Sequence, residues 1–377
     1  MCLLEFKELG RSGIRVSVVG LGTWQWGSRE WGWGDTYGKK DVFDAFQKAL
    51  ELGVNFVDTA EVYGGGRSEE LVGEAVRGHR DEVVIATKVS PLNLSYGRVL
   101  KAAERSLRRL AVDVIDLYQV HWPNPIIPVK STMKAMKKLT QDGKIRCVGV
   151  SNFNLKRLRV AQGALAPQQI ASNQVKYNLL DRNVEDGILP YAQAEGISII
   201  AYSPLAQGLL AGKYTAKTKP RSFIQKTNLR FSPQNLTRLT ELHQILSDVA
   251  LAHDKTPSQV ALNWLITREN VVAIPGAKWP EHVADSAGAA GWRLTNAEIE
   301  RLETAASQVR FDRLSGLPNL LRVLNNLTKN PRQELRRDGG ALRRKHAHAQ
   351  PFLKQGLLST RALQVRWFRA GVAERQL

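Results

Sequence analysis

"FVDTAEVYG", residues 56–64, runs a short apolar stretch into Asp58 and places Tyr63 five residues beyond it. Apolar runs this short read as strands of a buried parallel sheet. Taken alone, Asp58 would be an ordinary turn residue with Tyr63 packed over it. The same arrangement recurs, however, along most of the chain. Short apolar runs stand at "VSVVGLG", "VNFVD", "EVVIATK", "IDLYQVH", "IRCVGVSN", "ASNQVKY", "ISIIAYS" and "VVAIPG". Amphipathic stretches with helical spacing lie between them, such as "KKDVFDAFQKALELG" and "RVLKAAERSLRRL". Several close on glycine, as helix C-termini prefer. Eight strands alternating with helices predict an α/β fold, a (β/α)8 TIM barrel. The preceding "FKELGRSGIRVS" reads as an N-terminal β-hairpin able to plug the barrel floor.

Spacing supports the barrel. Asp58, Lys88, His121, Ser151, Gln174 and Tyr202 are separated by 30, 33, 30, 23 and 28 residues, about one strand–helix unit each time. Five of them follow their apolar run, and Gln174 lies within its strand. In a parallel barrel those strand ends converge on one face, where active sites of this fold are built. An open doubly wound sheet would also gather strand ends, but no G-x-G-x-x-G links a strand to a helix here. The interval from Tyr202 to Pro275 is 73 residues, too long for one helix. It is predicted to hold a basic polar loop over 213–233, a helix over 234–253 and a second helix at "TPSQVALNWLITR". Thr256 would cap that second helix and Pro257 would occupy its first position.

The two cysteines, Cys2 and Cys147, imply no disulfide framework and point to a reducing, cytoplasmic setting. No apolar stretch is long enough to span a bilayer, and "MCLLEFKELG" lacks the pattern of a signal or transit segment. The formal charge of +19 is unevenly spread. Residues 310–377 carry 15 Lys/Arg against 4 Asp/Glu, leaving 39 against 31 for the preceding part. The expected division is a barrel over 1–309 and a basic, largely disordered C-terminal extension over 310–377. Only this tail argues for a nucleic-acid partner, and nothing argues for a membrane.

One acid, one tyrosine, one lysine and one histidine come from three successive strand ends. A lysine ending an apolar strand is costly to bury unless it meets a carboxylate, and Asp58 lies on the neighbouring strand. A phenol beside that ammonium is expected to have its pKa lowered, which would suit Tyr63 as a proton donor. His121 would donate a hydrogen bond to a carbonyl oxygen and orient it. A buried ion pair that merely closes the barrel is the structural alternative, but four matching groups favour chemistry.

From residue 5 to about residue 308 the chain resembles the aldo-keto reductase superfamily. "DTAEVYGGGRSEELVGEAV" is similar to its Asp/Tyr signature, "ATK" to its lysine strand and "QVHWP" to its histidine strand. The resemblance implies a catalytic tetrad of Asp58, Tyr63, Lys88 and His121, with Tyr63 the general acid. It also implies that Ser151 and Asn152 of "GVSNFN", with Gln174, hold the carboxamide of a nicotinamide on which Tyr202 stacks. "SPLAQGLLAGKY" is similar to the pyrophosphate-clasping loop, implicating Ser203, Leu205, Gln207, Gly208 and Lys213. At the adenine end, "IPGAKWPEHVADSAGA" supplies Gly276, Lys278, His282, Asp285 and Ser286. It departs from the family there, with His282 for Gln or Arg, Asp285 for Glu and Ser286 for Asn. Lys278 and Arg221 are the cations for a 2′-phosphate, so NADPH is the implied cofactor, with no metal. The substrate implied is an aldehyde or ketone.

"GTWQWGSREWGWGDTYG" packs Trp24, Trp26, Trp31 and Trp33 into a glycine-rich loop after the first strand. It reads either as a loop folded on its own indoles or as an aromatic wall to the substrate cleft. Trp24 and Trp26, with Trp122 after His121, are the candidate substrate contacts. The region resembles the cyanobacterial and plastid-type branch, in which pyridoxal-type reductases occur. Two alternatives remain at this level: an NADP(H)-bound regulatory subunit with little turnover, and a nucleic-acid binder acting through the tail. Oligomeric state is not legible.

Overall fold

The structure is a computed structural model, and it describes residues 4–218, 220 and 222–312. Arg221 and the extension beyond Asp312 lie outside the described residues.

Among the described residues, ten strands form two sheets. β1 (Phe6–Glu8) and β2 (Arg15–Ser17) pair as an antiparallel hairpin. The other eight run parallel, in chain order: β3 (Leu21–Gly22), β4 (Phe56–Asp58), β5 (Val84–Val89), β6 (Ile115–Val120), β7 (Ile145–Ser151), β8 (Ile170–Lys176), β9 (Ser198–Tyr202) and β10 (Val271–Ile274). Backbone bonds from Gly20 to Ala273, Ala273 to Val18 and Gly22 to Pro275, of 2.8–3.0 Å, join the first strand to the last and close the (β/α)8 barrel.

Alternation along each strand creates two cores. Phe56, Val84, Ala86, Leu117, Cys147, Ile200 and Val272 point inward, where Leu9, Ile14 and Val16 of the hairpin pack against them as the floor plug. Ile85, Tyr118, Val120, Val148 and Val150 point outward beneath the helices. The inward row turns polar toward the C-terminal ends, from Phe56 to Asp58 and from Ala86 to Lys88, and that change of character makes the site.

The long excursion after β9 differs from expectation. The helix over 234–253 is broken into Pro233–Thr237 and Thr240–Ala252. Thr237 Oγ1 bonds the Pro233 carbonyl, and Thr240 Oγ1 bonds that of Thr237, so side chains compete for carbonyls the helix would use. Within the predicted loop, Phe223–Thr227 forms a short helix capped reciprocally by Ser222 and Gln225. Thr256 caps Pro257–Ile266 as anticipated, and Thr295 caps Asn296–Gln308. Beyond that helix, Asp312 and Asn235 exchange bonds of 2.8 and 2.9 Å, and Arg238 donates to the Arg310 carbonyl. The first three residues of the basic extension are therefore fastened to the barrel. No helix among the described residues is long and apolar enough to cross a membrane.

Candidate active site

The centre of the site is a buried ammonium. Lys88, at the end of β5, is 0% exposed, and its Nζ donates to Asp58 Oδ1 at 2.6 Å, to the Thr59 carbonyl at 2.7 Å and to Tyr63 Oη at 3.3 Å. Three acceptors around one ammonium satisfy a charge that burial would otherwise neutralise. Burial pulls the Lys88 pKa down, but Asp58 and then Tyr63 more than offset this, leaving it above the ordinary lysine value. Tyr63 opens a tight turn five residues past Asp58, in which Gly64, Gly65 and Gly66 all take positive φ.

His121 stands perpendicular to Tyr63, with ring centroids 5.6 Å apart. Burial first, and then the Lys88 charge, hold its pKa well below the ordinary value, so the imidazole is neutral. Its Nδ1 is buried without a hydrogen-bond partner among the described residues. All four tetrad candidates are thus brought together.

Tyr63 departs from expectation in one respect. Its phenol was expected to be acidified by the ammonium. Burial raises its pKa, Lys88 lowers it and Asp58 raises it again, and the net direction is upward. Desolvation of the phenolate outweighs a cation whose charge is already shared with Asp58.

The nicotinamide candidates form one connected group. Ser151 Oγ donates to the Gln174 carbonyl at 2.9 Å, Asn152 Nδ2 to Ser151 Oγ at 3.0 Å, and Tyr202 Oη to Asn152 Oδ1 at 3.0 Å. Asn152 also donates to the His121 carbonyl at 3.1 Å, which ties this group to the tetrad. Gln174 Nε2 turns toward Asp58 Oδ2 at 2.8 Å. In the next loop Ser203, Gln207 and Gly208 have φ of 49°, 61° and 100°, and Leu205 precedes the turn Ala206–Ala211. Gln207 is held at both ends, its carbonyl by Gln225 at 3.0 Å and its Oε1 by Asn228 at 2.9 Å. Lys213 is exposed at the end of this loop.

The segment after β10 is fastened to the aromatic loop. Trp26 is 0% exposed and donates its indole N–H to the Ala277 carbonyl at 3.0 Å. The expectation that Trp26 lines the cleft is therefore corrected: it is a core residue joining two loops. Trp24, half-buried, lies 6.3 Å from the Tyr63 ring and 5.2 Å from Trp31 between centroids, so it does border the tetrad. Trp122 is half-buried beside His121. Lys278 donates to the Trp31 carbonyl at 2.8 Å and sits over the Tyr37 ring at 4.3 Å. Burial and then the Lys213 charge push its pKa down to about 8. His282 is lowered by burial and by both lysines. Lys213, Lys278 and His282 thus feel one another, an arrangement suited to an anion. Gly276 lies against Gln25: a Cβ there would come within 2.1 Å of its amide nitrogen. Asp285 instead accepts from Thr256 Oγ1 at 2.6 Å, and Ser286 is buried. Asp285 nonetheless acts on His282 through its charge, opposing the two lysines.

Sequence reasoning passed over Gln119 and Glu61. Gln119 Nε2 reaches Asp58 Oδ2 at 3.3 Å. Its signal was its position two residues before His121, on the same face of the strand. Glu61 Oε1 accepts from the Ser90 amide at 2.5 Å and from Asn93 at 3.0 Å, ordering the loop after β5.

The buried Lys88–Asp58 pair, with Tyr63 and His121 beside it, thus sits at the C-terminal mouth of a parallel barrel, the face on which active sites of this fold are built. The Aldo/keto reductase family profile matches residues 18–307, and the chain belongs to that family of oxidoreductases. It is 44% identical over 306 residues to an uncharacterized oxidoreductase of Mycobacterium tuberculosis, covering 81% of this chain and 94% of that protein. Against the chloroplastic pyridoxal reductase of Arabidopsis thaliana identity is 37%, over 80% of this chain and 87% of the relative. The crystal structure of an aldo-keto reductase from Klebsiella pneumoniae in complex with NADPH superposes with a TM-score of 0.66 at 32% identity, covering 82% and 99% of the two chains.

Proposed function

We propose that the protein reduces an aldehyde or ketone to the alcohol with NADPH, Tyr63 serving as general acid. The observation that carries this reading is the single buried Lys88 ammonium joined to both Asp58 and Tyr63. With its pKa raised, the phenol keeps its proton through the neutral range and releases it only to an oxygen gaining negative charge. Lys88 is in place to stabilise the phenolate that remains. His121, neutral, retains one N–H with which to orient the carbonyl oxygen without competing as an acid. Trp24 walls the cleft beside Tyr63.

The residues present fit a phosphorylated dinucleotide. Ser151, Asn152 and Gln174 offer amide and hydroxyl groups for the carboxamide, and Tyr202 offers a ring face. The positive-φ backbone at Ser203, Gln207 and Gly208 suits close approach of a pyrophosphate. Lys213 and Lys278 supply the charge for a 2′-phosphate, and His282, its pKa lowered, offers a neutral ring N–H beside them. NADPH, when bound, supplies the hydride. The Arabidopsis and Klebsiella relatives support the substrate class and the cofactor respectively. The test is NADPH oxidation by purified protein against a panel of carbonyls that includes pyridoxal. Carbonyl-dependent turnover is expected; tight NADPH binding with no turnover on any carbonyl would instead favour a regulatory subunit.

A further inference from the structure

Gln119 is the one amide inside the barrel that no expectation assigned, and its setting is specific. It is 0% exposed, so both ends of its amide must find partners within the protein. Nε2 donates to Asp58 Oδ2 at 3.3 Å, and Oε1 accepts from Gln174 Nε2 at 3.4 Å. Gln174 gives its shorter bond, 2.8 Å, to the same Asp58 oxygen. Two amides from different strands therefore converge on Oδ2 while Lys88 holds Oδ1. Space for the side chain is made across the sheet. Gly149 pairs directly with Gln119, and a Cβ at that position would lie 2.8 Å from Gln119 Cγ and 2.6 Å from Ser172 Oγ.

A carboxylate held at one oxygen can swing about its last torsion, whose energy profile is broad. Held at both, its plane is set. Setting it matters here because Lys88 divides its N–H groups between Asp58, Thr59 and Tyr63, and a rotated carboxylate would draw the ammonium away from the phenol. We propose that Gln119 is a positioning residue for the reaction, clamping the Asp58 carboxylate with Gln174 so that Lys88 stays bridged to Tyr63. This inference rests on the carbonyl-reductase reading for its consequence, though not for the clamp itself. A Gln119 that merely filled volume would tolerate any side chain of equal size.

Gln119→Met keeps length and bulk but removes both polar ends. Its kcat is expected to fall about tenfold, as for a lost bond to a charged group, with KM for the carbonyl and Kd for NADPH little changed. Gln119→Glu adds a readout that packing alone would not produce. Protonated, that carboxyl can donate to Asp58 Oδ2; ionised, it repels it. Around it stand Asp58 from β4, Lys88 from β5, and the neutral Tyr63, His121 and Gln174. The Gln119→Glu enzyme should therefore lose kcat as pH rises, through a titration absent from the parent. Gly149→Ala, which presses on Gln119 without touching the tetrad, should reproduce the loss where it folds. Thermal melts of Gln119→Met, Asp58→Asn and the double variant test the clamp without turnover, and non-additive losses are expected for groups in contact. A Gln119→Met enzyme with parental kcat, a Gln119→Glu profile that overlays the parent, or strictly additive melts would each overturn the proposal. Absence of turnover in the parent would sink the reductase reading instead, and the melts would still decide the clamp.

Discussion

Asp58→Asn removes a charge while keeping shape, and the structure says what it leaves behind. Lys88 would remain 0% exposed, with its bond to the Thr59 carbonyl at 2.7 Å and its contact to Tyr63 at 3.3 Å, but with no counter-charge. Removing one partner of a buried pair costs about 3–5 kcal/mol, and the lower end applies because the Asn oxygen can still accept from Lys88. For a barrel of this size that corresponds to a loss of about 5 °C in Tm. The sign of the pH dependence is diagnostic. In the parent, the Lys88 pKa lies above its ordinary value, so pairing contributes fully below the unfolded lysine pKa and fades only as pH rises through the folded one. In Asp58→Asn, burial acts on the ammonium without its partner, and the folded pKa drops below the unfolded one. The charge then opposes folding at neutral pH, and stability returns as pH rises. Melts of the two proteins across the neutral to alkaline range should therefore converge upward. Adding Lys88→Met to Asp58→Asn should recover much of the loss, since no buried charge remains. A variant that melts with the parent, or a gap independent of pH, would refute the claim that Lys88 is a charged, desolvated centre.

Lys278→Met should weaken NADPH by about ten- to a hundredfold and leave NADH nearly unchanged, as measured by quenching of intrinsic fluorescence. In the parent, preference for NADPH should hold below the Lys278 pKa of about 8 and decline above it, because the 2′-phosphate needs the protonated form. Lys7 donates to the carbonyls of Ile266, Arg268 and Val271 at 2.6–2.9 Å, closing the end of the helix Pro257–Ile266. Lys7→Met should lower stability by about 1–3 kcal/mol in denaturant unfolding without changing kcat, since it unpairs that helix end. A chain ending at Asn330 should fold, bind NADPH and turn over at near-parental rates; an insoluble or inactive product would make the extension part of the catalytic unit.

The barrel and the tetrad were legible because both follow from one regularity. An inward row of apolar residues that ends in Asp58, Lys88 or His121 states its strand, its face and its mouth at once. Gln119 obeys the same alternation but lies within its run, so it read as strand rather than site. Trp24 and Trp26 could not be told apart in sequence: two residues on in a loop carry no fixed face, and only the bond to Ala277 turns Trp26 inward. The Tyr63 pKa was misjudged because its sign depends on how much water the fold removes, which proximity in sequence does not report. Lys278 was read as a cation for a 2′-phosphate, but its hold by the Trp31 carbonyl and the Tyr37 ring was not legible, since the bond to Trp31 spans 247 residues.

The central claim is that Tyr63, polarised by Lys88, gives the proton in carbonyl reduction. Steady-state turnover and NADPH affinity of Tyr63→Phe, measured beside the parent on the same carbonyl, test it most directly. The account predicts a kcat lower by about a hundredfold or more, the scale of a lost general acid, with NADPH Kd within error of the parent. A Tyr63→Phe enzyme that keeps most of its kcat would contradict it.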